Sequence, residues 1–352
     1  MKKTPIIALT LGDPGGIGPE VIVKTLRALK RPRRAVYTVV GTSSAFRLLK
    51  EKTGLGISFQ PTTPENLKHL KPGAIAFLDV TDAALAVYLK SGLKSSIRSL
   101  PQPKPGRLDP VNAAIALAAL EQAAALACEG TVHALVTAPL NKTAIRMILS
   151  GFHGHTEYLA QAAGSKKFAM MFVSPRLKVT LVTIHVALKD VSRRITRDLV
   201  FEKISLTHEF FKQRMGIARP RLGVCALNPH GRETGEEEDL VLVPAVAAAR
   251  RQGIRVDGPV SADRIFYDAY QGVYDGLISM YHDQALTAFK MIAFQEGVNT
   301  TLGLPFIRTS PDHGTAFDIA YQGKADASSM QASLRLAEQL IKSRQSSVVS
   351  RQ

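Results

Sequence analysis

The chain has no tryptophan and only two cysteines, Cys128 and Cys225. These stand far apart and in no metal-ligand or redox spacing, which excludes a disulfide framework and a cysteine-rich zinc site. A reducing cytoplasm is the setting such a composition fits. No stretch is read as reaching the roughly 20 apolar residues of a membrane helix, because the alanine-rich run 113–127 is interrupted by Glu121 and Gln122. A secretory leader is not expected either. Lys2 and Lys3 do precede an apolar run, 5–11, but that run stops at Gly12-Asp13-Pro14 without a small-residue cleavage pattern. It reads as a buried first strand. Repeats and low-complexity linkers are also missing, so two lobes that exchange chain segments are expected in place of two separate beads.

Acidic residues are in short supply, 29 Asp and Glu against 45 Lys and Arg, a formal charge of +16. The excess sits in clusters such as Arg31-Pro32-Arg33-Arg34, with no interleaved aromatics on which bases could stack. A nucleic-acid module signature is therefore lacking, and the plainer account is a basic surface that attracts anionic substrates.

At 352 residues, 45% of them hydrophobic, the chain can bury a substantial core. Strand-like runs fall at 5–11, 35–40, 74–78, 134–137, 178–184, 221–226 and 276–279. Helical periodicity marks 110–127 and 241–252, and Pro19 opens a helix through about 29, where its missing N–H costs nothing. The alternation predicts an α/β protein with largely parallel, helix-covered sheets. The polar, serine-rich segment 342–352 is expected to be a frayed, disordered tail.

The loop 12–18 is glycine-rich and lies between a strand and a helix, but it is not GxGxxG: position 21 is Val. A tight turn and an anion-receiving loop both remain open for it, and a Rossmann cofactor site is disfavoured. Three histidines, His185, His230 and His282, directly follow apolar strand-like runs, where open α/β sheets present their ligand sites. Three neutral imidazoles suit a borderline divalent ion, although their spacing matches no local motif and equally allows three unrelated loop histidines. In His153-Gly154-His155-Thr156-Glu157 the histidines read as a metal pair, or the threonine reads as the cap of a helix whose N-terminus receives an anion. Lys290, Asn299 and Arg308 are residue types that hold carboxylate, phosphate or hydroxyl groups. The loop 312–316, Asp-His-Gly-Thr-Ala, is a further anion or cofactor candidate.

Several segments, in order along the chain, resemble the 4-hydroxythreonine-4-phosphate dehydrogenase family of vitamin B6 biosynthesis. They are Leu-Gly-Asp-Pro-Gly-Gly-Ile-Gly-Pro-Glu at 11–20, Thr-Ala-Pro-Leu-Asn-Lys at 137–142, Gly-His-Thr-Glu at 154–157, Leu-Asn-Pro-His at 227–230, Tyr-His-Asp-Gln at 281–284, and the long run 297–310. The resemblance implies two α/β/α lobes like those of the isocitrate and isopropylmalate dehydrogenases, the first of 1–130 with 305–341 and the second of 131–304. It implies a homodimer whose active sites, in the interlobe cleft, are completed by the neighbouring subunit. It assigns His185, His230 and His282 to one divalent ion (zinc, magnesium or cobalt), with one ligand donated across the dimer. Substrate contacts are implied for His155, Thr156, Lys290, Asn299 and Arg308. NAD or NADP contacts are implied for Gly314, Thr315 and Asp318. Asp283 and Lys142 are the candidates for moving protons, Asp283 being equally a partner that orients His282.

The implied reaction is oxidation of 4-phosphooxy-L-threonine to a β-keto acid that decarboxylates to 3-amino-1-hydroxyacetone 1-phosphate. One departure bears on it. Where family members carry a longer glycine-rich stretch after the second histidine, this chain has Gly-Arg-Glu-Thr-Gly-Glu-Glu-Glu at 231–238, which sets Arg232 beside a metal ligand. A paralogue acting on another phosphorylated threonate or a dihydrodiol acid is the alternative that this raises. A non-catalytic nucleic-acid-binding protein is a second alternative, raised by the charge and opposed by the three histidines.

Overall fold

The computed structural model of the chain describes residues 4–30, 32–92 and 97–349. Arg31 of the basic cluster and the last three residues of the expected tail lie outside them. The chain divides into two compact units, Met1–Gly164 with Pro305–Glu338, and Ser165–Leu304 with Gln339–Gln352. The first division lies at Gly164, where the sequence reading set it at 130.

The first unit is built on a six-stranded sheet. Its elements are β1 (Ile6–Thr10), α1 (Gly18–Arg27), β2 (Val36–Gly41), α2 (Ser43–Thr53), β3 (Gln60–Pro61), β4 (Ile75–Asp79), α3 (Thr81–Lys90), α4 (Pro110–Cys128), β5 (Ala134–Thr137), α5 (Lys142–Arg146) and α6 (His155–Ala162). The returning segment 305–338 adds a last strand, Ile307–Pro311. The order is β3-β4-β2-β1-β5 and then that strand, and every pair is parallel. Pairing of β5 with β1 (Ile7 opposite Ala134) is what holds the residues after 130 in this unit. β1 and β2 are buried along their whole length, which is why they read as unbroken apolar runs rather than alternating ones.

Helix α4 corrects an expectation. Its 19 residues are long and apolar enough to cross a membrane by length and composition, with 78% of that window buried within the protein. Asp109 caps it, accepting from the N–H of Val111 at 2.8 Å, and Pro110 opens it. Asn112, buried at its start, exchanges hydrogen bonds with the backbone of Lys104. It is the core helix of this unit, which its alanines allow by letting neighbouring backbones approach closely.

The second unit contains β6 (Ala169–Val173), β7 (Lys178–Leu181), α7 (Leu188–Arg194), α8 (Arg197–Gln213), β8 (Leu222–Cys225), α9 (Val243–Arg251), β9 (Val256–Val260), α10 (Ala262–Tyr270), β10 (Gly276–Ser279), α11 (His282–Ala293) and β11 (Val298–Leu302). Its sheet runs β11-β6-β7-β10-β8-β9. The β11–β6 and β6–β7 pairs are antiparallel and the rest parallel. The returning strand of the first unit is β12 (Ile307–Pro311), and the last described element is α12 (Ser328–Val349). That helix runs through most of the segment expected to be a frayed tail.

Candidate active site

In the second unit the three histidines follow three neighbouring parallel strands. His185 lies beyond β7, His282 opens α11 directly after β10, and His230 lies beyond β8, all at the carboxyl ends where α/β sheets bind ligands. The rings of His185 and His282 stand 5.9 Å apart between centroids. Nδ1 of His282 is 2.6 Å from Oδ1 of Asp283, an exposed carboxylate, which leaves Nε2 as the nitrogen for a ligand. His230 is exposed, in the left-handed region at φ 55°. Among the described residues no group of three His, Cys, Asp or Glu side chains is arranged to hold a metal ion. The donor chemistry fits a divalent cation, because two adjacent imidazoles, one fixed by a carboxylate, form part of such a coordination shell. Cys225 takes no part: burial pushes its thiol up to about 12.

The loops carrying these histidines are tied by groups the sequence reading passed over. Gln284 accepts from Oγ of Ser279 (2.7 Å) and from N–H of Met280 (2.8 Å), and donates to the carbonyl of Ala226 (2.7 Å). Glu238 is fully buried and accepts from the N–H groups of Leu227 (2.9 Å) and Asn228 (2.8 Å) and from the side chain of Asn228 (2.8 Å). Glu237 accepts from the same Asn228 amide and from Ser192, and these bonds hold its carboxyl below the ordinary range. Arg232, flagged in sequence beside His230, pairs with Asp239 at 2.7 Å, both being exposed. Lys290 lies on α11 with its ammonium 5.9 Å from the Phe294 ring centroid, and Asn299 lies on β11 opposite Phe172.

The first unit gathers another set. Arg308, on β12 and 3% exposed, donates from Nε and Nη2 to Oγ1 of Thr137 at the carboxyl end of β5 (3.2 and 2.9 Å). Burial lowers its pKa to about 10, opposed by nearby Glu157, so the guanidinium stays charged at neutral pH. His155 opens α6, and burial together with the charges of Arg308 and Lys142 holds its imidazole well below its ordinary value, hence neutral. Thr156 is buried and is the second residue of α6. The cap is Gly154 (φ 147°), not the threonine as the sequence suggested. A side chain there would start 3.0 Å from Cε of Lys142 and 3.1 Å from a Glu157 oxygen. A buried guanidinium, a lysine and a helix N-terminus make a positive environment suited to an anionic group.

The glycine-rich loop behaves as a packed turn. Four of its amides are engaged: Asp13 N–H to Pro139, Gly15 N–H to Oδ1 of Asp13, Gly16 N–H to the carbonyl of Asp13, and Ile17 N–H to Thr315. Thr315 is thereby buried against Gly16, whereas Gly314 and Asp318 on either side are exposed.

Residues 34–337 match the family described as "Pyridoxal phosphate biosynthetic protein PdxA". A 4-hydroxythreonine-4-phosphate dehydrogenase of Geobacter metallireducens is 40% identical over 339 residues, 96% of this chain and 95% of that one. A D-threonate 4-phosphate dehydrogenase of Pectobacterium atrosepticum is also 40% identical, over 338 residues, 95% and 99% of the two chains. The crystal structure of 4-hydroxythreonine-4-phosphate dehydrogenase from Klebsiella pneumoniae is similar with a TM-score of 0.80 at 35% identity, covering 96% of this chain and 99% of that one.

Proposed function

The chain belongs to the pyridoxal phosphate biosynthetic protein PdxA family, and from that premise we propose that it oxidises 4-phosphooxy-L-threonine with NAD or NADP, acting in the cytoplasm as a homodimer with shared active sites. The observation that carries the reading is Arg308, a charged side chain buried beside a neutral histidine and a helix N-terminus, which serves a substrate bearing fixed negative charge. Two free cysteines fit the compartment.

Arg308, His155, Thr156, Lys290 and Asn299 bind the acid. The hydroxyl proton leaves as the hydride departs from the same carbon, giving a ketone β to the carboxylate, and carbon dioxide then leaves with its bonding electrons remaining on the chain. NAD or NADP, when bound, would supply the hydride acceptor, and a divalent ion held by His185, His230 and His282, one of them from the second copy, would supply a Lewis acid for the hydroxyl and for the charge that develops as carbon dioxide departs. Asp283 orients His282. Lys142, beside His155, moves the proton. Gly314, Thr315 and Asp318 contact the cofactor.

A second reading, D-threonate 4-phosphate as substrate, is favoured by the relatives of that name at equal identity. The two acids share a C4 phosphate and a C3 hydroxyl and differ at C2, amino against hydroxyl, so the choice between them lies with whatever side chains meet C2. The test is turnover of the purified enzyme on each acid with NAD and with NADP, before and after chelation. The first reading expects reduction of the nicotinamide with 4-phosphooxy-L-threonine, lost on chelation; turnover confined to D-threonate 4-phosphate would replace it with the second.

A further inference from the structure

The three histidine loops are joined through the backbone of Met280 and two side chains. The carbonyl of Met280 accepts from both N–H and Oγ1 of Thr183 (3.1 and 2.7 Å), two residues before His185, and its N–H donates to Gln284, two residues after His282. The other end of the Gln284 amide donates to Ala226, at the start of the segment that leads to His230. From the opposite side Glu238 takes the next two backbone N–H groups, Leu227 and Asn228, and the Asn228 side chain as well. Every polar atom at the end of Gln284 and Glu238 is thus engaged with the segments just before the histidines. Charge-assisted bonds to a buried carboxylate are among the stronger ones available to hold a loop. Leu227 and Asn228 therefore have fixed peptide planes, although His230 itself sits on the surface.

We infer that Gln284 and Glu238 are positioning residues for the loops that carry His185, His230 and His282. The inference rests on the assignment of those histidines to a metal ion. Ligand nitrogens must be placed to within a fraction of an ångström, and a hydrophobic contact would hold the strand ends without fixing the direction of their peptides. Gln284 does fix it, since its acceptor and donor ends are not interchangeable.

Gln284→Glu keeps the size and the acceptor for Ser279 and Met280, and turns the other end from a donor into an oxygen facing the Ala226 carbonyl. Glu238→Gln keeps the acceptor for Leu227 and Asn228 and sets an N–H₂ against the amide of Asn228. The full-length purified chain is titrated with Co²⁺, reading visible absorption and calorimetric affinity, alongside His282→Ala and a thermal melt of each variant. The expected result is loss of binding in His282→Ala, and in Gln284→Glu and Glu238→Gln an affinity lower by about tenfold or more with an altered absorption spectrum and a cooperative melt retained. Wild-type binding by His282→Ala would overturn the metal assignment itself. Loss in His282→Ala with unchanged affinity and spectrum in Gln284→Glu would overturn the positioning role and leave the metal assignment intact. Should Glu238→Gln not fold, Gln284→Glu decides alone, because its acceptor bonds survive.

Discussion

Two buried charges define what single side chains do in this protein. Arg308 is buried and held by Thr137, whose Oγ1 accepts from two of its N–H groups. Lysine there would keep the charge and lose the planar fork, so Arg308→Lys is expected to weaken substrate binding by about 1.5 to 3 kcal/mol, the worth of a charged hydrogen bond. Metal affinity should be unchanged, and calorimetric titration of the variant with each would show it; unaltered substrate affinity would make Arg308 a structural residue. Asp13 is the opposite case. It is 1% exposed, its Oδ1 accepts from Gly15, and no hydrogen bond reaches its Oδ2 among the described residues. Burial raises its pKa from 3.8 to about 7, the Gly15 N–H opposing and Asp109 adding to the rise. Because the folded value is the higher one, the folded state holds the extra proton between the two, and the stability this confers at low pH is lost as pH rises through about 7. The loss is at most about 4 kcal/mol, at about 1.4 kcal/mol for each pH unit of the difference. Urea midpoints should therefore fall more steeply from pH 5 to pH 8 in the wild type than in Asp13→Asn, and parallel curves would show that the carboxyl titrates normally.

Among the elements, the turn after β1 has little freedom. Gly12 has φ 69°, and a Cβ on it would lie 2.3 Å from the carbonyl oxygen of Pro139 and 2.8 Å from that of Ala138. These backbone atoms, just past β5 and held by the bonds from Ala138 N–H to the Thr10 carbonyl and from Asp13 N–H to the Pro139 carbonyl, cannot retreat as a side chain can. Gly12→Ala should accordingly cost about 2 kcal/mol or more, from left-handed strain and the clash together, read as a lower denaturation midpoint; a neutral effect would mean that this junction is plastic. Seven strand-like runs of the sequence became β1, β2, β4, β5, β7, β8 and β10, since strands covered on both faces announce themselves as apolar runs. The missed strands have other reasons. Ala-Met-Met-Phe-Val of β6 is rich in residues that favour helices, β9 contains Gly258-Pro259, and β12 reads as Ile-Arg-Thr-Ser-Pro, a polar strand whose Arg308 and Thr309 find their partners across the fold. The histidines were legible because each follows a readable strand. Gln284 and Glu238 were not, because a glutamine after a helix start or a glutamate in a run of three carries no signal until the strand order puts β8 beside β10.

At the scale of the whole molecule, the first unit boundary escaped the sequence for the same reason: the chain between 131 and 164 belongs where β5 pairs, and pairing is not written in composition. Charge, by contrast, is legible at once, and its use is testable. Arg232 is neutralised by Asp239, and Arg197 by Asp198, but Lys189, Arg193 and Arg194 are exposed on α7, the helix that follows His185. An excess of +16 placed partly there makes a field that draws a phosphorylated acid toward the histidine loops. Steering of this kind raises encounter rates by about tenfold or more and fades as the screening length shrinks from about 30 Å at 0.01 M salt to about 10 Å at 0.1 M. The expected outcome is that kcat/KM, which reports capture, falls about tenfold over that range of chloride concentration, while kcat, set after binding by contacts too close to be screened, changes far less. Replacing Lys189, Arg193 and Arg194 together by glutamine should flatten the salt dependence and lower kcat/KM at low salt to the value the wild type shows at high salt. If kcat collapsed with salt while KM held, or if the triple variant kept the full dependence, the charge of α7 would have no part in capture and the basic surface would need another explanation.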